Sequence, residues 1–120
     1  MADLDIQWAQ EALQIIVGQR LTSVEFVMDY IQLRFDGPVL TVLSPVTVTT
    51  DELEIRSGEA GFRDCLCERI AARVTSARIV PHEALQLEFE DEARIRISLR
   101  PADYDVEAVL FNSDSTWWSI

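Results

Sequence analysis

With 120 residues, 21 acidic against 10 basic side chains and a formal charge of −11, the chain has the size of one domain and a field that repels nucleic-acid phosphates and anionic lipid. Its apolar-rich stretches, such as residues 13–17 and 39–42, are far too short to cross a bilayer. Met1-Ala2-Asp3-Leu4-Asp5 carries acids where a secretory signal has a basic region, so a cytoplasmic address is expected, with neither membrane nor nucleic acid as partner.

A first helix is predicted over residues 5–19, where Trp8, Ala12, Ile15, Ile16 and Gln19 step by three and four and would form one buried stripe. Asp5 reads as its N-cap, and Gly18 weakens its end. Period-two alternation then places Val24, Phe26, Ile31, Leu33, Phe35, Leu40 and Val42 on the inner face of a meander, with Glu25, Gln32 and Arg34 outside. Val46 and Val48, alternating with Thr47 and Thr49, read as a continuation of the third strand. Leu53 and Ile55 suggest a short edge strand, and Ser57-Gly58-Glu59-Ala60-Gly61 a mobile loop.

A second helix is expected after Gly61, with Phe62, Leu66, Ile70 and Val74 as its stripe. The meander that follows would bury Ala77, Ile79, Leu85, Leu87, Phe89, Ile95, Ile97 and Leu99, leaving Arg78, Gln86, Glu88, Glu90, Arg94, Arg96 and Arg100 outside. A loop of Asp91, Glu92 and Ala93 would set Glu90 opposite Arg94, Phe89 opposite Ile95 and Glu88 opposite Arg96. Beyond Pro101, residues 106–111 are strand-like, Asn112-Ser113-Asp114-Ser115 is a turn signal, and Thr116-Trp117-Trp118-Ser119-Ile120 reads as a closing strand. Adjacent strand residues point to opposite faces, so Trp117 and Trp118 cannot both be buried on one face of a sheet.

The two meanders align. Arg20-Leu21-Thr22-Ser23-Val24-Glu25-Phe26-Val27 matches Arg73-Val74-Thr75-Ser76-Ala77-Arg78-Ile79-Val80, and after a one-residue insertion Ile31-Gln32-Leu33-Arg34-Phe35-Asp36 matches Leu85-Gln86-Leu87-Glu88-Phe89-Glu90. Extended backwards, the alignment pairs Glu11 with Asp64, Leu13 with Leu66 and Val17 with Ile70, so each meander is preceded by its helix. The expectation is an α+β single domain, residues 1–120. It would hold two repeated helix-plus-three-strand units, residues 5–49 and 60–101, and a C-terminal hairpin, residues 105–120. The sheet would be mostly antiparallel, folded as a sandwich or open barrel.

Residues that could carry chemistry are sparse. Cys65 and Cys67 point about 200° apart on a helix and should not bridge each other. Core packing accounts for them; a thiolate near the helix start, helped by Arg63 and Arg69, is the alternative. His82, the one histidine, falls in a turn beside Glu83 with no second histidine or nucleophile motif. Alternation sends Glu88, Glu90, Asp91 and Glu92 to different sides, against a shared cation, and the glycines fit no phosphate loop. Asp103-Tyr104-Asp105 reads as a loop. No catalytic residue, metal or cofactor is therefore expected.

Gly18-Gln19-Arg20-Leu21, Leu33-Arg34-Phe35-Asp36-Gly37, and Leu87-Glu88-Phe89 followed by Ile95-Arg96-Ile97 resemble small uncharacterised bacterial proteins, some of them similar to immunity proteins that neutralise polymorphic toxins. The likeness spans residues 15–110 and departs at the second turn, where Asp91-Glu92 stands in place of Gly37. It implies a non-enzymatic inhibitor of a basic toxin. On the residues themselves, a negative surface with a terminal aromatic pair points to protein binding, with Trp117, Trp118, Asp91 and Glu92 as candidate partner-binding residues. A homodimeric scaffold, and a small-molecule pocket or enzyme between the repeats using His82 or Cys65, are the alternatives.

Overall fold

Residues 6–114 and 116–120 are described by a computed structural model. The first helix, α1 (Ile6–Leu13), runs into a 3-10 turn at Gln14–Ile16 and ends there, before Gln19. It buries Ala9, Leu13 and Ile16, while Trp8 and Ile15 stay 44% and 53% exposed. Steps of four and three also connect this neighbouring stripe, so periodicity admits both. Rotation is settled by tertiary hydrogen bonds. Gln10 and Gln14 both donate to Ala77 O, and Gln10 accepts from Ile79 N–H. Asp5, the expected N-cap, lies outside the described residues.

The strands that follow are β1 (Ser23–Val27), β2 (Tyr30–Arg34), β3 (Val39–Val42), β4 (Val46–Thr49) and β5 (Glu54–Arg56). Then come α2 (Phe62–Cys67), β6 (Val74–Val80), β7 (Ala84–Phe89), β8 (Arg94–Ser98), β9 (Val109–Asn112) and β10 (Trp117–Ser119). They form two antiparallel five-stranded sheets, ordered β1-β2-β3-β9-β10 and β6-β7-β8-β4-β5. Buried side chains from both sheets and both helices make one core cluster. Every inward residue expected of the second meander is buried in it. In the first meander, Leu33, Phe35, Leu40 and Val42 are buried, and Val24, Phe26 and Ile31 pack against them half-exposed. No described helix is long and apolar enough to cross a membrane.

Four further expectations change. Val46 and Val48 do not continue β3 in its sheet: the chain crosses to the other sheet at Leu43, Ser44 and Pro45. Leu40, Val42, Ser44, Val46 and Val48 are all buried, so the alternation passes through the crossing unbroken and cannot reveal it. Pro45 has no N–H to extend a ladder, and its carbonyl accepts from Ser98 N–H of the new sheet. The three-strand units therefore exchange ends. β4–β5 completes the sheet of β6–β8, and β9–β10 completes that of β1–β3.

The β7–β8 register is also two residues from that expected. Glu88 opposes Arg94, Leu87 opposes Ile95 and Gln86 opposes Arg96. A slip of two preserves which face each side chain occupies, so the core is unaffected. The shifted turn, residues 90–92, is closed by Phe89 N–H to Ala93 O, with Glu92 in the left-handed region at φ +69°. Finally, α2 stops at Cys67, leaving Ile70 exposed, and β9 begins only at Val109, leaving Val106 exposed. A C-terminal β9–β10 hairpin and a β5 edge strand do form, the first shortened at its start and the second holding Ile55 but not Leu53.

Between the sheets runs a short antiparallel seam at Arg20 and Arg73. Leu21 N–H donates to Ala72 O and Val74 N–H to Gln19 O; Gly18 N–H donates to Val74 O and Ala71 N–H to Leu21 O. Nearby, the Thr22 hydroxyl donates to Arg34 O, and that of Thr75 to Glu88 O.

Candidate functional site

Trp117 and Trp118 occupy β10, an edge strand, and alternation separates them. Trp118 is 2% exposed and stacks on Phe111 with ring centroids 5.3 Å apart and an 18° interplanar angle. Its indole Nε1 is buried without a hydrogen-bond partner. Trp117 faces the other way and is 69% exposed, so of the pair only Trp117 is available to a partner. In its register row Trp117 stands opposite Asn112, which stands opposite Val39. At this end of the sheet lie the exposed carboxylates Asp36, in the β2–β3 turn, and Asp114, in the β9–β10 turn.

Asp91 and Glu92 sit in the β7–β8 turn of the other sheet. Asp91 is engaged internally: it pairs with Arg69 Nη1, and its other oxygen accepts from Ala93 N–H at 3.2 Å. Partial desolvation pushes the Asp91 carboxyl up, but the hydrogen bonds from Arg69 and Ala93 outweigh it and hold the group below the ordinary aspartate range. Arg69 is buried, with its guanidinium 5.8 Å from the Phe89 ring centre. Asp91 thus closes a turn over a buried cation, whereas Glu92 is exposed. The two tryptophans and the two acids belong to different sheets.

A further surface is basic. Reading the register across the outer face of the second sheet gives the row Arg56–Thr47–Arg96–Gln86–Arg78. The expected Glu88–Arg96 pairing would have neutralised Arg96. The two-residue slip sets it between Gln86, which accepts from its guanidinium at 3.1 Å, and Thr47. Ion pairs among the described residues are Arg34–Glu25, Arg69–Asp91 and Arg73–Glu90, so Arg56, Arg78, Arg94, Arg96 and Arg100 are outside all of them. Arg56, Arg96 and Arg100 line a cleft of about 340 Å³ with Thr47, Ser98 and the carboxylates Glu83 and Asp103. The alternating arginines of β8 were visible in the sequence, but nothing local shows that β4 and β5 bring Thr47 and Arg56 alongside them.

Cys65 is buried, and desolvation, aided by Glu68, raises its thiol pKa against the lowering effect of Arg69. This disfavours a ready thiolate. Cys67 is exposed, so it is not the core filler expected. Both are free thiols. His82 is exposed in the β6–β7 turn at φ +61°. Neither His82 nor Cys65 lines the arginine cleft or the groove of about 320 Å³ between the β1–β2 turn and α2. Met28, at 93% exposed, and Arg63, stacked 5.3 Å from the Phe26 ring centre, flank that groove. Among the described residues, no three His, Cys, Asp or Glu side chains gather as metal ligands would.

No family model, curated protein or solved structure matches the chain.

Proposed function

We propose that the chain is a non-enzymatic protein-binding domain, of the kind an immunity-type inhibitor of a basic toxin requires, with Trp117 as its anchor. The observation that carries this reading is that Trp117, on an edge strand, is 69% exposed while its neighbour Trp118 is buried. An aromatic left in water at a sheet edge is the residue type that most often dominates interface energies. Asp36 and Asp114 at the same end of the sheet suit an arginine or lysine laid on the indole face, and the charge of −11 steers a basic partner toward the chain.

Capture from a lysate of the native host tests this: a specific, basic protein retained by the chain, lost with Trp117→Ala and weakened by salt, is the expected result. Retention unaffected by both changes removes the proposal. A second reading is a homodimer pairing β10 edges across a two-fold axis, favoured by the same exposed edge. Sedimentation equilibrium separates the two, because the dimer requires association that rises with concentration in the purified chain.

The reading includes descent of the two halves from one duplicated unit. Its support is that the strand orders correspond element by element, that the seam's hydrogen bonds form two related pairs about Arg20 and Arg73, and that Thr22 and Thr75 make the same bond to aligned partners.

A further inference from the structure

We propose that the cleft over Thr47 binds the phosphate group of a small hydroxylated molecule. This goes beyond the protein-binding reading and does not depend on it. The inference starts from corresponding rows on the outer faces of the two sheets. In the first sheet the row is Ser119–Leu110–Thr41–Gln32–Glu25, and its polar groups satisfy one another: Gln32 donates to the Thr41 hydroxyl at 3.1 Å, and Arg34 bonds both Glu25 and Gln32. In the second sheet the row is Arg56–Thr47–Arg96–Gln86–Arg78. Here Arg96 and Gln86 engage each other, while the Arg56 and Arg78 side chains and the Thr47 hydroxyl have no hydrogen-bond partner among the described residues.

Arg56 and Arg96 flank Thr47 on either side, their strands about 9–10 Å apart as two strand spacings require. A phosphate seated over Thr47 can accept from the hydroxyl below and from a guanidinium on each side, with Arg100 also lining the cleft. Its dianionic charge and terminal oxygens match this donor set better than a single carboxylate, which one arginine satisfies. The volume of about 340 Å³ is that of a small-ligand site. A long polyanion is excluded because it meets the whole field of a chain at −11, whereas a small phosphate senses charges within about one Debye length, some 8 Å. Glu83 and Asp103 also line the cleft, and although Asp103 Oδ2 already accepts from the Ser98 hydroxyl, Glu83 and the other Asp103 oxygen would repel a bare phosphate but accept hydrogen bonds from ligand hydroxyls. The cleft therefore favours a hydroxylated phosphate ester over the inorganic ion.

Titration of the isotopically labelled full chain with glycerol 3-phosphate and with inorganic phosphate, at constant ionic strength against chloride, reads the site by amide NMR. Saturable shifts at Thr47, Arg56 and Arg96, with the ester binding more tightly, are expected. Arg96→Gln should weaken the ester by about tenfold or more, as loss of a charged hydrogen bond does, and Arg56→Gln should act similarly. Arg78→Gln, outside the cleft, should stay within about twofold, since it keeps the face charged and folded but makes no contact. Shifts no different from those of chloride, or equal losses in Arg78→Gln and Arg96→Gln, would overturn the site. Equal affinity for the two phosphates would overturn the role given to Glu83 and Asp103. Should Arg96→Gln fail to keep the native amide spectrum, Arg56→Gln decides in its place.

Discussion

The edge of β6 and the edge of β1 hold corresponding places in the two sheets, and they are covered differently. Along β6, Gln10 of α1 donates to Ala77 O and accepts from Ile79 N–H, as a neighbouring strand would. Along β1, α2 offers Arg63 over the Phe26 ring, and no described hydrogen bond reaches the β1 backbone from that helix. The outer faces differ in the same sense: one row pairs its own polar groups, and the other leaves arginines and a hydroxyl unengaged. Shared architecture sets where strands go, while a few side chains decide which edges are closed and which faces can bind.

The largest contrast expected is between the closing hairpins. Trp118→Ala should cost about 3–5 kcal/mol, as loss of a fully buried aromatic does, whereas Ile55→Ala, at the corresponding half-buried place in β5, should cost no more than about 2 kcal/mol. Urea unfolding of both variants measures this, and similar losses would show that the hairpins contribute alike. At the edges, Gln10→Ala leaves the Ile79 N–H of β6 unpaired, while Ala77 O keeps its bond from Gln14, and should cost about 1–3 kcal/mol. Arg63→Ala removes one exposed cation–π contact at about 0.5–1 kcal/mol. Equal values would contradict the difference in how the edges are held.

At the seam, Gly18 and Ala71 occupy matching places with φ +90° and +79°. Gly18→Ala should destabilise by about 1 kcal/mol through backbone strain alone, since open space surrounds the position. Ala71→Gly relieves that strain and should be neutral or stabilising by less than about 1 kcal/mol. Thermal unfolding compares the two, and destabilisation by both would mean that the seam does not treat its halves alike.

The smallest effect is in acid. The second half buries Arg69 where the first buries Ile16, so only the second has the Asp91 pair. The folded state holds the Asp91 carboxyl below its unfolded value, so the unfolded chain takes up the proton first as pH falls. The stabilisation is complete above about pH 5, begins to fade near the unfolded aspartate pKa and is lost as pH drops through the lowered folded pKa. Asp91→Asn should flatten this part of the stability–pH curve; an unchanged slope would remove Asp91 as its source.

Local periodicity recovered the inner faces well. Alternation named the buried residues of the second meander because a strand's side-chain period is fixed by the backbone. It could not name the β7–β8 register, since a slip of two residues keeps every side chain on its face. Nor could it rotate α1, because Ala9, Leu13 and Ile16 satisfy the helical period as well as Trp8, Ala12 and Ile15 do. Among the candidate residues, the opposed fates of Trp117 and Trp118 were legible from their adjacency, but the internal use of Asp91 was not, because Arg69 approaches it from another element.

By itself the amino-acid sequence determined what lies within a few residues of any point: which side chains share a strand face, where turns fall, and that a helix precedes each meander. Tertiary structure alone decided that β4 and β5 leave their own meander to complete the other sheet, and so set Arg56 and Thr47 beside Arg96. The reason is that a strand's alternation specifies a face to bury but carries no information about which neighbour will form its ladder.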